Sequence, residues 1–403
     1  MKGITAKYVE FVRRPHVGRL LVVAFFSRMP IGMVGFSMLM FLREVLGNYA
    51  LAGLAVGINF VSMAIAAPIQ GRIIDRHGPH RLLRVTAVVT TLSLCALAAA
   101  AIARMPFAVI AVLAAVAGMF ASPITTLTRT IWRHLFDDED DRRTAFALDA
   151  VTIEFNFTLG PAVVALMLAF FGATAAFALT ICVVLSSVVI FVASGTLQLF
   201  KRVGSAERHL LGPLTELRLV VVFLAMFGIT IGFGILEVGY PAFSTFLGIG
   251  ALAGVLLAIN SLGSAFGGAL YGGLHFKAPL ERQFAICMLF MAIPFGLHAA
   301  FLDPWAFGVL AFLSGALIAP TLTGHAVLVS RLAPPKYATE AFTWSSTFIV
   351  SGLGTGMAVG GWLAEHVGLR EMFIAAATLI FLMGIWVWFA LAPAPGAQAQ
   401  VAD

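Results

Sequence analysis

Charged residues are scarce in this sequence of 403 residues. Lys, Arg, Asp and Glu make up 11% of it, whereas 61% of the residues are hydrophobic. A soluble domain carries about 25% charged residues, so this chain has too few of them to cover the surface of a water-soluble fold. A lipid bilayer can cover such an apolar surface. The scarcity of charge therefore excludes an ordinary soluble protein and indicates a membrane protein.

Several chemical signatures are also missing. The three cysteines, Cys95, Cys182 and Cys287, fall in different apolar segments and have no metal-binding spacing. The sequence contains no Gly-x-x-x-x-Gly-Lys-Ser/Thr loop for nucleotide phosphates, no Gly-x-Ser-x-Gly elbow and no pair of histidines with metal spacing on a helix. We therefore expect no enzyme, no metal and no cofactor. Any transport is expected to use a gradient rather than a nucleotide.

Long apolar runs fill most of the chain. A membrane-spanning helix needs about 20 apolar residues, and charged residues or Pro and Gly separate the runs at regular intervals. The pattern predicts an all-α membrane protein with twelve transmembrane helices. We expect the spans at 17–43, 49–72, 81–103, 106–135, 143–171, 173–200, 217–246, 250–274, 282–302, 305–332, 339–366 and 371–392.

Basic residues are placed on one side of these spans. If the N-terminus is cytoplasmic, nearly all Lys and Arg residues between spans face the cytoplasm, and Arg43, Arg104 and Arg370 face the other side. The positive-inside rule then places both termini in the cytoplasm, as expected for a bacterial inner-membrane protein. The net charge of +6 follows this membrane pattern, which excludes nucleic acid as a partner.

The chain repeats itself at an offset of 201 residues. Ala-Leu-Ala-Gly followed by Ile-Asn occurs at 50–59 and again at 251–260. The repeat predicts two pseudo-symmetric six-helix bundles with the same orientation. We expect four segments: an N-terminal bundle at 1–200, a cytoplasmic linker at 201–216, a C-terminal bundle at 217–393 and a disordered tail at 394–403.

A loop motif follows the second span. The segment GRIIDRHGPHRLL resembles the signature loop of the major facilitator superfamily, which has Gly, three residues, Asp, a basic residue, any residue, Gly and then basic residues. The matching positions are Gly71, Asp75, Arg76, Gly78 and Arg81. The resemblance implies a fold of two six-helix bundles and transport by alternating access. It also implies that this loop clasps the other half and holds one conformer. Gly71 and Gly78 are expected to permit close backbone approach and an unusual turn.

Span motifs place the chain nearest to the drug/proton antiporter branch of that family. Gly160 and Pro161 resemble the start of a Gly-Pro motif in span five of these exporters, although the two glycines that should follow are missing. The exporters also carry an Arg four residues before a Gly in span four, and here Ala114 precedes Gly118. The match to the exporter branch is therefore partial.

Ionisable residues inside spans are functional candidates because burying their charge is costly. Arg28 and Glu154 each lie about 16 Å from the cytoplasmic end of their predicted helices, near the bilayer centre. We expect them to pair, either as a substrate and proton site or as a structural ion pair. Arg129 and Asp149 lie equally far from residue 139, the centre of an acidic turn, and are expected to form a gating or structural salt bridge.

Other polar residues within the spans are candidates for substrate or proton binding. Asn59 and Asn260 occupy equivalent positions of the two halves, and Asn156 lies two residues from Glu154. Their alternative role is hydrogen bonding between helices. Glu237 is a candidate site or gate residue, with a passive buried role as its alternative.

These patterns predict a secondary transporter that works by alternating access. The leading hypothesis is proton-coupled export of small amphipathic organic compounds, because the spans offer few amides and many Phe and Met side chains. The alternatives are uptake or exchange of a small organic anion with Arg28 as its partner, and a sensor or scaffold that transports nothing. The expected partners are a small-molecule substrate, protons and lipid, and the expected state is a monomer.

Overall fold

The computed structural model describes residues 10–136, 138–200, 212–273, 278–334 and 338–391, and every regular element within these ranges is helical. Residues 201–211 of the predicted linker lie outside the described residues, and so does the whole predicted tail. The α-helices from Val17 onwards are α1 (Val17–Arg28), α2 (Pro30–Leu46), α3 (Tyr49–His77), α4 (Pro79–Ile102), α5 (Phe107–Met119), α6 (Ile124–Leu135), α7 (Glu139–Ala193), α8 (Leu217–Leu247), α9 (Leu252–Gly273), α10 (Leu280–Leu297), α11 (Pro304–Ala316), α12 (Ile318–Leu332), α13 (Ala338–His366) and α14 (Leu369–Ala390).

Eleven segments in the described part of the chain are long and apolar enough to cross a membrane. One of them, Thr144–Ala193, has 50 residues and would be about 75 Å long as a straight helix, more than twice the roughly 30 Å bilayer core. Gly172 interrupts it with φ 82° and ψ 174°, a conformation that glycine adopts without a steric penalty. The segment therefore accounts for two crossings. The predicted all-helical class with twelve spans is confirmed.

We number the crossings as spans 1 to 12 in chain order. Span 1 consists of α1 and α2, span 4 of α5 and α6, and span 10 of α11 and α12. Spans 5 and 6 are the parts of α7 before and after Gly172, and each remaining span is a single helix.

Pro30 begins α2, and Pro123 stands at the N-cap of α6. Because proline has no N–H to donate, the hydrogen-bond ladder of span 1 is interrupted beside Arg28, the last residue of α1.

The chain forms two compact units. Unit 1 comprises Met1–Gly47 and Ile65–Ala206, and unit 2 comprises Asn48–Ala64 and Glu207–Asp403. The division runs through α3, whose residues 48–64 we call the α3 head. Pro68 lies inside this helix and removes the hydrogen bond that Ala64 would accept, so the ladder is weakest where the head ends. The predicted bundle boundaries at 1–200 and 217–393 stay a prediction.

Packing in unit 2 includes close contacts between the α3 head and spans 7 and 11. The backbone N–H of Tyr49 donates to Glu365 Oε2 at 2.9 Å, and the Tyr49 hydroxyl lies 2.8 Å from Thr245 Oγ1. Glycines let the helices approach, because a Cβ on Gly354 would lie 2.9 Å from the carbonyl oxygen of Gly57. Such small-residue contacts are typical of helix pairs in membranes.

Candidate functional site

A buried ion pair lies between spans 1 and 5 of unit 1. Arg28 Nη1 donates to Asp149 Oδ1 at 2.8 Å, and the two side chains are 0% and 1% exposed. Trp132 Nε1 in span 4 donates to the same carboxylate oxygen at 3.1 Å. Three spans therefore meet at one carboxylate in the interior of the unit.

A second arginine reaches the other oxygen of this carboxylate. Arg129 Nε lies 3.6 Å from Asp149 Oδ2, and the Arg129 side chain is 49% exposed. The two residues are thus close, as their equal distance from the acidic turn predicts, whereas a gating role for them stays a prediction. Two guanidinium groups share one carboxylate, so the formal charges of these three side chains sum to +1.

Within the described residues the acidic partner of Arg28 is Asp149, and the expected pairing of Arg28 with Glu154 stays a prediction. The helix that carries span 5 extends beyond the apolar segment: that segment begins at Thr144, whereas α7 starts at Glu139, and Asp138 at its N-cap accepts a hydrogen bond from the backbone N–H of Asp141 at 3.0 Å. Asp149 therefore lies 10 residues, about 15 Å, from the helix start and is level with Arg28. The side chain of Glu154 lies outside the described part of the chain.

Several buried polar atoms of spans 1 and 5 have no hydrogen-bond partner within the described ranges. Among the described residues, Arg28 Nε and Nη2, Asp149 Oδ2, Ser27 Oγ and Asn156 Oδ1 are buried and have no hydrogen-bond partner. The Nε and Nη2 atoms form the edge of a guanidinium group that binds a carboxylate or phosphate through two parallel hydrogen bonds. The buried pair therefore leaves an unused binding edge on the arginine.

Asn156 lies where spans 1 and 5 touch. Its Nδ2 donates to the carbonyl oxygen of Thr152 in its own helix at 3.0 Å. Gly32 of span 1 lies directly against the backbone of Asn156 and against Gly160. The close approach of the two helices leaves Asn156 fully buried, and its role in substrate binding stays a prediction.

Asn260 of unit 2 links two helices. Its Nδ2 donates to the carbonyl oxygen of Ala311 at 2.9 Å and to Ser314 Oγ at 3.1 Å, so span 8 is hydrogen-bonded to span 10. Asn59, its counterpart in the repeat, is 5% exposed and lies in the α3 head. The contacts of Asn260 match the alternative of hydrogen bonding between helices, and a substrate contact for either asparagine stays a prediction.

Glu237 stands apart from the charges of unit 1. It lies on span 7, the most buried of the described spans, where its side chain is only partly buried. No hydrogen bond or ion pair to Glu237 occurs within the described ranges. Phe233, one turn earlier on the helix, packs against Phe295 with ring centroids 6.1 Å apart. A carboxyl group and an aromatic pair therefore occupy one face of span 7.

Two buried histidines in unit 2 have different surroundings. His325 Nε2 lies 2.6 Å from Ser345 Oγ, which joins spans 10 and 11. His298 stacks on Phe373 at 4.9 Å between ring centroids and meets Phe307 edge-on at 4.7 Å. His298 is thus a packed residue of an aromatic cluster, and His325 holds two helices together.

The loop motif connects spans 2 and 3. Gly78 ends α3 with φ 81° and ψ 166°, so the motif glycine provides the turn that the sequence predicts. Gly71 lies inside α3, and a Cβ there would meet nothing within 4 Å in the described structure, which contradicts the close approach expected at this glycine. Arg76 and Arg81 are exposed. The side chain of Asp75 lies outside the described part of the chain, so the clasp between this loop and the other half stays a prediction.

Sequence reasoning missed Trp132. An aromatic residue in an apolar span resembles a core residue, and Trp132 is indeed fully buried. Its position three residues after Arg129 was the available signal, because residues at i and i+3 share a helix face. A side chain of span 4 that contacts Asp149, the partner of Arg129, should lie on the same face of the helix as Arg129.

Twelve helical crossings define a multi-pass membrane protein, and the spans of unit 1 hold buried charges. The sequence matches the family described as Major Facilitator Superfamily over residues 20–303. The chain belongs to this superfamily, and it is a transporter rather than an enzyme.

Relatives and solved structures agree with this assignment. The chain is 21% identical over 353 residues to the multidrug resistance protein MdtG of Proteus mirabilis, covering 83% of this chain and 84% of the relative. It is 30% identical to MdtG of Salmonella choleraesuis over 137 residues, 34% of each protein. A crystal structure of the nucleoside transporter NupG superposes with a TM-score of 0.68 at 15% identity, covering 93% of this chain and 98% of that chain. At this identity the last match shows the fold alone.

Proposed function

We propose that this transporter exports small amphipathic organic compounds in exchange for protons. The similarity to MdtG proteins, which are named for multidrug resistance, supports export. The sequence has no phosphate-binding loop, which supports coupling to a gradient. The few amide side chains within the spans favour substrates that bind through apolar contacts rather than through many hydrogen bonds.

The observation that carries proton coupling is the position of Asp149 between two arginines. Its Oδ1 binds Arg28 at 2.8 Å, and its Oδ2 lies 3.6 Å from Arg129. Removing the charge from one partner of a buried pair leaves the other charge uncompensated, at a penalty of about 3–5 kcal/mol. A proton on Asp149 would therefore destabilise the arrangement of spans 1, 4 and 5 seen here. Protonation and helix arrangement would then be coupled.

Linkage determines the direction of transport that such a pair supports. A solute that binds the charged form of Asp149 competes with the proton, so the two move in opposite directions. A solute that binds Arg28 replaces Asp149 as its partner, which makes it easier for Asp149 to bind a proton. Because coupling between two ligands is reciprocal, the first case gives antiport and the second gives symport.

The second candidate is uptake or exchange of a small organic anion. The unpartnered Nε and Nη2 atoms of Arg28 favour it, since this edge suits a carboxylate or a phosphonate. By the same linkage, an anion bound there would travel together with a proton. The two candidates therefore differ in the sign of the pH gradient that drives accumulation.

Proteoliposomes containing the purified protein test these proposals. Accumulation of a fluorescent amphipathic amine and of radiolabelled benzoate is measured under pH gradients of both signs, and only accumulation above that of protein-free liposomes is counted, because weak bases and weak acids also distribute passively with a pH gradient. The test variant is the double replacement Arg28→Met with Asp149→Leu, because an apolar pair avoids an uncompensated buried charge and should fold. The control is Asp303→Asn, which changes an exposed carboxylate.

We expect the double variant to lose accumulation driven by pH and the control to keep it. Accumulation of the amine in exchange for protons, which move in the opposite direction, supports export. Accumulation of benzoate together with protons supports the anion candidate. If the double variant still accumulates its solute, the pair is structural, and Glu154→Gln becomes the next test of the coupling acid. Absence of flux for a broad solute panel under either gradient would favour a protein that transports nothing.

A further inference from the structure

The indole of Trp132 contacts the proposed coupling carboxylate but carries no charge. Its Nε1 donates to Asp149 Oδ1 at 3.1 Å, and the same oxygen accepts the bond from Arg28. Two donors thus bond to Oδ1 of Asp149, whereas its Oδ2 lies 3.6 Å from Arg129 Nε. The indole therefore lies on the oxygen that faces Arg28 and not on the one that faces Arg129.

An aromatic stack holds the indole in place. Trp132 stacks on Phe136 with centroids 6.4 Å apart and planes inclined by 12°, and Phe136 packs on Phe11 at 5.0 Å. All of Trp132 is buried in the core of unit 1 together with Leu20 and Ile131. In such a packed environment the ring has no room to rotate, so the N–H direction is fixed by the core.

We propose that Trp132 is a positioning residue for the Arg28–Asp149 pair and that it sets the pH range in which the transporter is coupled. The inference rests on the proposed function, in which Asp149 carries the proton. A hydrogen bond to a carboxylate favours its charged form and fixes its orientation. Within the described structure the charged groups facing Asp149 are Arg28 from span 1 and Arg129 from span 4. Trp132 adds a neutral donor to these two charges.

Replacing Trp132 by Phe tests the inference, because Phe keeps an aromatic ring in the stack and removes the N–H donor. The isosteric amino acid 3-benzothienylalanine at position 132, which also lacks the N–H, replaces Phe if the smaller ring impairs folding. The matched control is Trp362→Phe, which removes an indole at a position that is 52% exposed. Protonation of Asp149 is followed in the purified protein by infrared difference titration, with Asp149→Asn as the blank. The pH profile of transport is measured in parallel.

We expect both variants at position 132 to shift the titration midpoint of Asp149 upward by roughly 1–2 pH units, the size of a hydrogen bond to a charged group. The pH profile of transport should move with it, and Trp362→Phe should move neither. An unchanged titration midpoint overturns the inference, even if the variants are less stable. A shifted titration with an unshifted transport profile keeps the positioning role, overturns the statement that Trp132 sets the pH range of coupling, and rejects Asp149 as the coupling acid.

Discussion

The contact between Gly160 and Gly32 allows a quantitative test of the site's framework. A Cβ added to Gly160 in span 5 would lie 2.7 Å from the carbonyl carbon of Gly32 and 2.8 Å from its Cα. Carbon atoms in contact are ordinarily about 3.5–4.0 Å apart. The neighbouring atoms belong to the backbone and cannot turn aside, so Gly160→Ala must separate spans 1 and 5 by about 1 Å.

The expected effect of Gly160→Ala is a loss of stability. Overpacking of this kind raises the free energy of the folded state by about 1–3 kcal/mol, which exceeds the roughly 1 kcal/mol that alanine gains over glycine in a helix. At about 2–4 °C per kcal/mol for a domain of some 200 residues, the unfolding midpoint should fall by several degrees. The same separation should weaken the bond between Arg28 and Asp149, because spans 1 and 5 carry its two ends.

Thermal unfolding of the detergent-purified protein, followed by tryptophan fluorescence, measures this loss. Gly308→Ala is the matched control, because a Cβ there would lie 3.7 Å from Ile259 Cδ1, an ordinary van der Waals distance. The control should be as stable as the parent or slightly more stable. Equal midpoints for the two variants would show that spans 1 and 5 do not approach each other as closely as the structure indicates.

Three further predictions concern other parts of the chain. Tyr49→Phe should lower the unfolding midpoint by a few degrees because it removes the 2.8 Å bond to Thr245, worth about 1 kcal/mol. Thr245→Val should lower the midpoint by a similar amount. If the losses add up in the double variant, the two residues do not share a bond. Asp75→Asn should leave abundance in the membrane near normal and reduce transport, since it removes a charge but little volume, whereas full transport would show that the loop motif is inert. Reporter fusions at Asp403 and within 201–215 should both report cytoplasm, because six predicted spans separate them, and a periplasmic signal at either site would reject this topology.

The sequence allowed the crossings to be located because the bilayer imposes a length and a composition on each of them. The predicted boundary between spans 5 and 6 fell at residue 172, where Gly172 breaks the helix with a positive φ. Gly78 was likewise identified as a turn residue from the loop motif alone. These features are local, so a short stretch of sequence carries all the information that determines them.

The partner of Arg28 could not be identified in the same way. The predicted span 5 started at residue 143, close to the apolar segment that begins at Thr144, but the helix itself begins four residues before 143, at Glu139, a difference of about 6 Å along the helix axis, which is twice the length of the ion pair. Asp138, which caps the helix, was the signal for the earlier start. It stands in a cluster of acidic residues, where several positions could serve as the cap.

The packing of the α3 head also could not be derived from sequence. Its hydrophobic pattern predicts a span, but it does not indicate which helices lie beside that span. The glycines at positions 57 and 354 are small enough for many alternative contacts, and Tyr49 resembles an interfacial aromatic residue. Their partners depend on tertiary packing, for which a single sequence offers no local signal.

The packing of the α3 head has a consequence for the order of assembly during synthesis. Tyr49 bonds to Glu365, which follows it by 316 residues, and a ribosome adding 5–20 residues per second needs roughly 15–60 s to cover that distance. Throughout this interval the head is already made, while its partner helix in span 11 is still incomplete. Lipid or another membrane protein must cover its glycine face until the end of span 11 emerges, so biogenesis of the first half of the chain is completed only by the second.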